Sequence, residues 1–261
     1  MTQNKITINQ KEILNKFECY VNRYNLADKQ IHLKVEHSYK VSKLCETIAL
    51  YIENADCDPA LAWLIGLLHD IGRFEQLRRF HTFQDSLSLD HAALGVDLLF
   101  SDGLIRHFIQ ESDYDDIIRN SIICHSAYSI PSNFSNQDKL YATILRDADK
   151  LDILRVCATT PIDILLGCSE DDLIKSDISP IVIDTFNKHK SIENKDKHTP
   201  LDFRIGHISL AYELEFAVSR NIMLKQGWLK KLVEETFPKG NANREFTMLI
   251  EEMNRYLEIT I

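Results

Sequence analysis

The segment PALAWLIGLLHD (59–70) does most to limit what this chain can become. It is apolar nearly all round, so as a helix it must run through the middle of a helical assembly, not along its surface. Asp58 and Pro59 open it as an N-cap followed by proline at the first helical position. Its far end carries His69 and Asp70, side chains that are costly to bury in charged form unless something compensates. A divalent metal does so economically, because imidazole nitrogen and carboxylate oxygen suit Mn, Fe, Ni, Co and Zn.

The rest of the chain is patterned in the same way. Only 8 of 261 residues are glycine and 6 are proline, and apolar residues recur at three-and-four spacing, so the expected fold is all-α. Ile13, Phe17, Tyr20 and Tyr24 mark a first helix. Val41, Leu44 and Ile48 mark a second, with His37 four residues before Val41 on the same inward stripe. Residues 76–90 read as a polar connection, and LDHAALGVDLLF (89–100) as a helix with His91 in its first turn. A helix over 113–124 leads to His125, and a long one over 137–157 has Asp149 near its centre. The polar stretch SIENKDKHTP (191–200) is the clearest internal break. It suggests a helical domain over 1–190 and a C-terminal helical extension over 201–261 packed on the same core, with helices at 205–227 and 243–258. IVIDTF (181–186) carries a weak strand signal.

Six side chains thus stand out: His37, His69, Asp70, His91, His125 and Asp149. Their separations of 32, 21, 34 and 24 residues are each the length of a helix plus its connection, or of a helical pair. One His–Asp dipeptide means little, and a lone histidine on an apolar face is usually a hydrogen-bonded core residue. Six such groups on different helices or helix ends are what helical bundles use to build metal sites.

Net charge is −9 without a dense Lys/Arg stripe, so nothing favours duplex nucleic acid or an anionic membrane. A few placed cations can still hold a small phosphorylated substrate. The N-terminus lacks the pattern of a signal peptide, and no apolar run is long enough to span a bilayer. Six cysteines without a CxxC pair read as buried free thiols in a cytoplasmic protein, Cys124 among them as a small core residue.

His37, His69–Asp70 and Asp149 together resemble the signature of the HD-domain metalloproteins, in the contexts LLHDIGRF and DADKLD, over about residues 31–157. The resemblance implies an HD-type helical bundle, and His91 and His125 are similar to the two extra histidines of its binuclear subgroup. It implies one metal on His37, His69, Asp70 and Asp149, with Asp70 bridging to a second on His91 and His125. The ions would be two divalent metals (Fe, Mn, Ni, Co, Zn or Mg). The implied activity is hydrolysis of a phosphomonoester or phosphodiester of a nucleotide or small phosphorylated metabolite by a metal-activated hydroxide. Arg73 and Lys150 are then the candidate phosphate cations; Arg73 has an ion pair with Glu75 or Asp85 as its plainer role. Arg78, Arg79 and His81 read as a solvated loop, and Asp147 and Asp152 as partners that orient imidazoles. After His125 the chain reads SAYSIP, without the second histidine or Gly-Tyr-Pro element of the HD-GYP subgroup, so cyclic dinucleotide cleavage is not implied. The same six-ligand order also occurs in mixed-valent di-iron oxygenases of HD fold, which is the alternative activity. The apolar stripes of the last two helices could serve a homodimer.

Overall fold

A computed structural model describes residues 8–52, 57–236 and 244–260. Every regular element among them is helical, as the spacing predicts, and the described residues contain no strand. The chain divides into two compact units, Met1–Asp149 and Lys150–Ile261. The boundary lies within one helix, and the 191–200 stretch falls inside the second unit.

In the first unit, α1 (Gln10–Val21) buries Ile13, Phe17 and Tyr20, and α2 (Lys29–Tyr51) buries His37, Val41, Cys45 and Ile48. The central helix, α3 (Pro59–Leu68), starts as its sequence dictates: the Asp58 carboxylate accepts from the Ala60 amide at 2.9 Å, and Leu61 through Leu68 are all buried. α2 and α3 lie against each other with Gly66 at the closest approach. A Cβ there would sit 2.8 Å from both Cys45 Sγ and Ser42 Cα, so only glycine fits. This approach sets the spacing between His37 and the end of α3.

Asp70 separates α3 from α4 (Ile71–Phe80), so part of the expected polar connection is helical, and Gln76 within it is fully enclosed. The connection proper is 81–90, with a single 3-10 turn at Asp85–Leu87. Asp90 then caps α5 (His91–Val96), accepting from the Ala92 and Ala93 amides. The expected helix is present and continues past Val96 as a π-helical segment at Asp97–Ser101. A Cβ on Gly72 would meet the His91 carbonyl oxygen and the Gly95 amide nitrogen, so α4 and α5 touch backbone to backbone. α6 (Ile105–Phe108), α7 (Asp115–Cys124) and α8 (Asn136–Thr159) follow.

The second unit starts within α8 and continues through α9 (Ile162–Leu166), α10 (Glu170–Lys175), α11 (Pro180–Asn187), α12 (Pro200–Ser209), α13 (Ala217–Gln226), α14 (Trp228–Thr236) and α15 (Arg244–Thr260). The strand signal at 181–186 is overturned. Pro180 takes the first position of α11, and Val182 and Phe186, four apart, form its buried stripe. The single helix expected over 205–227 is two helices, parted by a 3-10 turn at Leu210–Glu213 and ended by Gly227 at φ 71°. Buried Asp202 ties the unit's start of α11 to α12, accepting from Ser179 N, His198 N and Thr199 N at 2.8–3.1 Å. The apolar stripes of the last two helices (Leu229, Leu232, Phe246, Leu249 and Met253) are buried within the chain itself. No helix among the described residues is long and apolar enough to cross a membrane.

Candidate metal centre

The six side chains singled out in the sequence come from six places in the chain and meet in one cluster. His37 projects from the middle of α2, His69 caps α3, and Asp70 follows it at the turn into α4. His91 is the first residue of α5, His125 caps α7, and Asp149 lies in α8. All four imidazoles and the Asp70 carboxylate are buried. Asp149 Oδ1 is 3.1 Å from His37 Nε2 and 3.7 Å from His69 Nε2.

The two oxygens of Asp70 face different partners. Oδ2 lies 3.6 Å from His37 Nε2 and 3.5 Å from His69 Nε2. Oδ1 lies 3.5 Å from His91 Nε2 and 3.8 Å from His125 Nε2. Donor atoms of His37, His69 and Asp70 are mutually close enough for one ion, as are those of His69, His125 and Asp149, and those of Asp70, His91 and His125.

Hydrogen bonds behind the rings fix which nitrogen faces inward. His69 Nδ1 meets the Gly66 carbonyl at 2.8 Å, His125 Nδ1 the Ile122 carbonyl at 2.7 Å, and His91 Nδ1 the Asp85 carboxylate at 2.7 Å. Each acceptor demands a proton on Nδ1, which leaves a lone pair on Nε2. The Nε2 atoms of His91 and His125 are nevertheless 3.1 Å apart, and buried His69 Nε2 has no hydrogen-bond partner among the described residues. Lone pairs aimed at one another in a buried space repel, and a cation among them removes the conflict. The donor set therefore fits a divalent metal.

Residues 35–154 match the family described as the HD domain. This stretch of the chain is an HD domain. The matched span opens two residues before His37 and closes five after Asp149, so all six converging side chains fall inside it. No curated protein and no solved structure gave a significant match.

Charge and burial around the cluster keep the two carboxylates ionised and favour the neutral rings of His69 and His125. Burial alone would raise the Asp70 carboxyl. Lys34, His69, Arg73 and His91 outweigh it and hold the group well below the usual carboxylate range. Burial opposes ionisation of Asp149 too, but a hydrogen bond from His37 and the nearby His69 and His37 rings keep its carboxyl low. His125 is pushed down to about 3, first by burial and then by His69 and His91. His69 is lowered chiefly by burial.

Two residues of this centre escape a reading by sequence alone. Lys34, one turn before His37 on α2, places Nζ 2.7 Å from Asp70 Oδ2 and lies over the Phe83 ring. Its i, i+3 spacing to His37 was the available signal. Asp85 orients His91 from an irregular loop, where no periodicity could reveal it. Gln76 knots this loop together, donating to Asp85 Oδ1, Ser88 Oγ and the Leu89 carbonyl at 2.8–3.0 Å. Arg146 of α8 is a further buried support, donating to the Cys124, His125 and Tyr128 carbonyls where α7 ends.

The candidate cations are placed as follows. Arg73 Nη1 donates to Asp85 Oδ1 at 2.8 Å, to the Phe83 carbonyl and to Gln76, and its Nε faces Asp70 Oδ1 at 3.6 Å. The ion pair with Asp85 weighed from the sequence is thus present, on a side chain that also faces Asp70. Lys150 pairs with Glu213 at 3.0 Å within the second unit. Arg78 and Arg79 lie on helical α4, not in a loop, and both grip Glu75. His81 ends that helix in a left-handed conformation. Asp152 holds Arg155 at 2.6 Å, while Asp147 is fully buried. Cys124 is a buried thiol pushed up by burial.

Proposed function

We propose that this protein is a divalent-metal phosphohydrolase acting on a phosphomonoester or phosphodiester of a nucleotide or another small phosphorylated metabolite. The observation that carries the reading is the division of Asp70, with one oxygen toward His37 and His69 and the other toward His91 and His125. One carboxylate facing two imidazole pairs supports a site for two ions with Asp70 between them. His37, His69, Asp70 and Asp149 would hold one, and Asp70, His91 and His125 the other. Ions held there would acidify a water and neutralise charge developing on phosphate oxygens.

The chain's own groups supply the remainder. Asp70 and Asp149 stay ionised across the physiological range, and His125 stays neutral. Lys34 and Arg73 bring positive charge to the two oxygens of Asp70, and they are the nearest candidates to meet a substrate phosphate. Arg73 is also braced by Asp85 and the Phe83 carbonyl, so its orientation is set before substrate arrives. Lys150 remains a candidate by its sequence position beside Asp149. The six unpaired cysteines support a reducing, cytoplasmic setting.

The deciding experiment is metal analysis of protein purified without oxygen or chelator, followed by a phosphoester screen with the metal found. Two equivalents of metal and phosphate release are expected, both abolished in Asp70→Ala. Iron together with substrate-dependent oxygen uptake would replace hydrolysis by the oxygenase activity. Full turnover in Asp70→Ala would refute the bridge.

A further inference from the structure

α4 presents two faces. Arg73 and Gln76 point toward the loop that holds Asp85, whereas Glu75, Arg78 and Arg79 lie on the opposite side of the helix. On that side they border a cavity of about 450 Å³, closed by Arg23 and Tyr24 and by the segment 98–104. We propose that this cavity is a second binding site, distinct from the six-ligand centre, for a phosphate-bearing anion of up to nucleotide size.

The whole chain is acidic, at −9, yet three guanidinium groups gather on this one cavity against two carboxylates, Glu75 and Asp102. Glu75 is used internally. It accepts from Arg78 Nε at 2.7 Å and Nη2 at 2.5 Å, and from Arg79 Nε. These bonds pull the Glu75 carboxyl down to about 2, hydrogen bonding from Arg78 being the largest cause. Glu75 therefore acts as a post that holds two exposed guanidinium groups side by side, with their other N–H donors unspent. Arg23 lies over the Tyr20 ring, 5.4 Å from its centroid, and has no carboxylate partner among the described residues.

The post is itself braced. Tyr24 Oη donates to Glu75 at 3.4 Å and accepts from Tyr20 Oη at 2.9 Å. Donors fixed in advance lose little freedom when an anion arrives. Planar guanidinium groups pair with phosphate oxygens by two parallel hydrogen bonds, a match that a monovalent spherical anion does not exploit. The volume lies within the range of small-molecule sites and exceeds what one orthophosphate fills. Pyrophosphate and mononucleotides are the matching class.

The test is calorimetric titration of the full chain with inorganic pyrophosphate, AMP and ATP, in buffer containing EDTA so that the metal centre contributes nothing. At least one probe is expected to bind wild type and His69→Ala with equal affinity, and to bind Arg23→Gln/Arg79→Gln at least tenfold more weakly. Both arginines are exposed, so circular dichroism should report an unchanged fold in that variant. Tighter binding of AMP or ATP than of pyrophosphate would identify a nucleotide site; the reverse would identify a polyphosphate site. No heat with any probe, equal binding by the double variant, or loss of binding in His69→Ala would each overturn the proposal.

Discussion

Asp85 is not one of the six converging side chains, yet it decides which nitrogen of His91 faces Asp70. Its carboxyl is drawn down to about 2; burial opposes this, and the hydrogen bond from His91 is the strongest cause favouring it. Asn at 85 keeps the shape but can present an N–H to the ring and stabilise the wrong tautomer. Asp85→Asn is therefore expected to weaken metal binding about 10- to 100-fold with the fold intact, read by competition with a chromogenic chelator. Unchanged affinity would reduce Asp85 to an ion-pair partner of Arg73. His125 gives a pH prediction. A histidine ordinarily titrates near 6.5, and this one is held at about 3 in the folded chain. Between those values the unfolded state takes up a proton that the folded state refuses, so metal-free protein loses stability as pH falls from 6.5 toward 3. The slope is at most about 1.4 kcal/mol per pH unit. Urea unfolding at pH 7 and pH 5 should show this loss in wild type and a smaller one in His125→Gln; parallel behaviour would exclude it. The six converging groups were legible because each lies in or beside a strongly patterned helix. Lys34 was legible in principle, one turn from His37. Asp85 was not, because its role depends on the path of an irregular loop.

Among the elements, α3 has the most consequence, since it carries His69 and delivers Asp70. Two substitutions separate its stability from its placement. Asp58→Ala removes the N-cap and should cost about 1 kcal/mol while leaving metal content unchanged, because the cap is at the far end from His69. Gly66→Ala drives a methyl group into Cys45 and the α2 backbone at Ser42. It should cost about 1–3 kcal/mol and also lower metal content, since α2 carries His37. Thermal melts paired with metal analysis distinguish these outcomes, and equal metal content in both variants would sever the link between Gly66 and the centre. The long helix α2 was readable because burial on one stripe repeats through several turns, and α3 because it is apolar nearly all round. The second unit was harder. Its short helices α9, α10 and α11 offer too few turns for a period to emerge, and they are set instead by Gly167, by the Ser169 capping box and by Pro180. The β-branched run Ile181, Val182 and Ile183 suggested a strand, but a proline at N1 and the i, i+4 pair Val182 and Phe186 prevailed.

At the scale of the molecule, the HD match ends at residue 154 and the first compact unit at Asp149, so the six converging side chains belong to that unit. The sequence placed its main break at 191–200 because polar composition there looks like a linker. The stretch is instead stitched into the second unit through Asp202, a connection that composition does not reveal. Concentrating the donors in one unit has a thermodynamic consequence. A site assembled only by folding binds the folded state alone, so metal shifts the unfolding equilibrium by mass action. At a free concentration 100-fold above Kd the gain is about 2.7 kcal/mol. For a unit of roughly this size, that corresponds to a rise in Tm of about 5–10 °C. Without metal, the ionised Asp70 and Asp149 and the crowded Nε2 lone pairs of His91 and His125 remain against one another. EDTA treatment should therefore lower the Tm of wild type by that amount, and readdition of the native metal should restore it. Asp70→Ala, which removes the carboxylate facing both imidazole pairs, should melt at one temperature with or without chelator. A chelator shift of equal size in Asp70→Ala would mean that the stabilising ion binds elsewhere, and the two-ion reading of this cluster would fall with it.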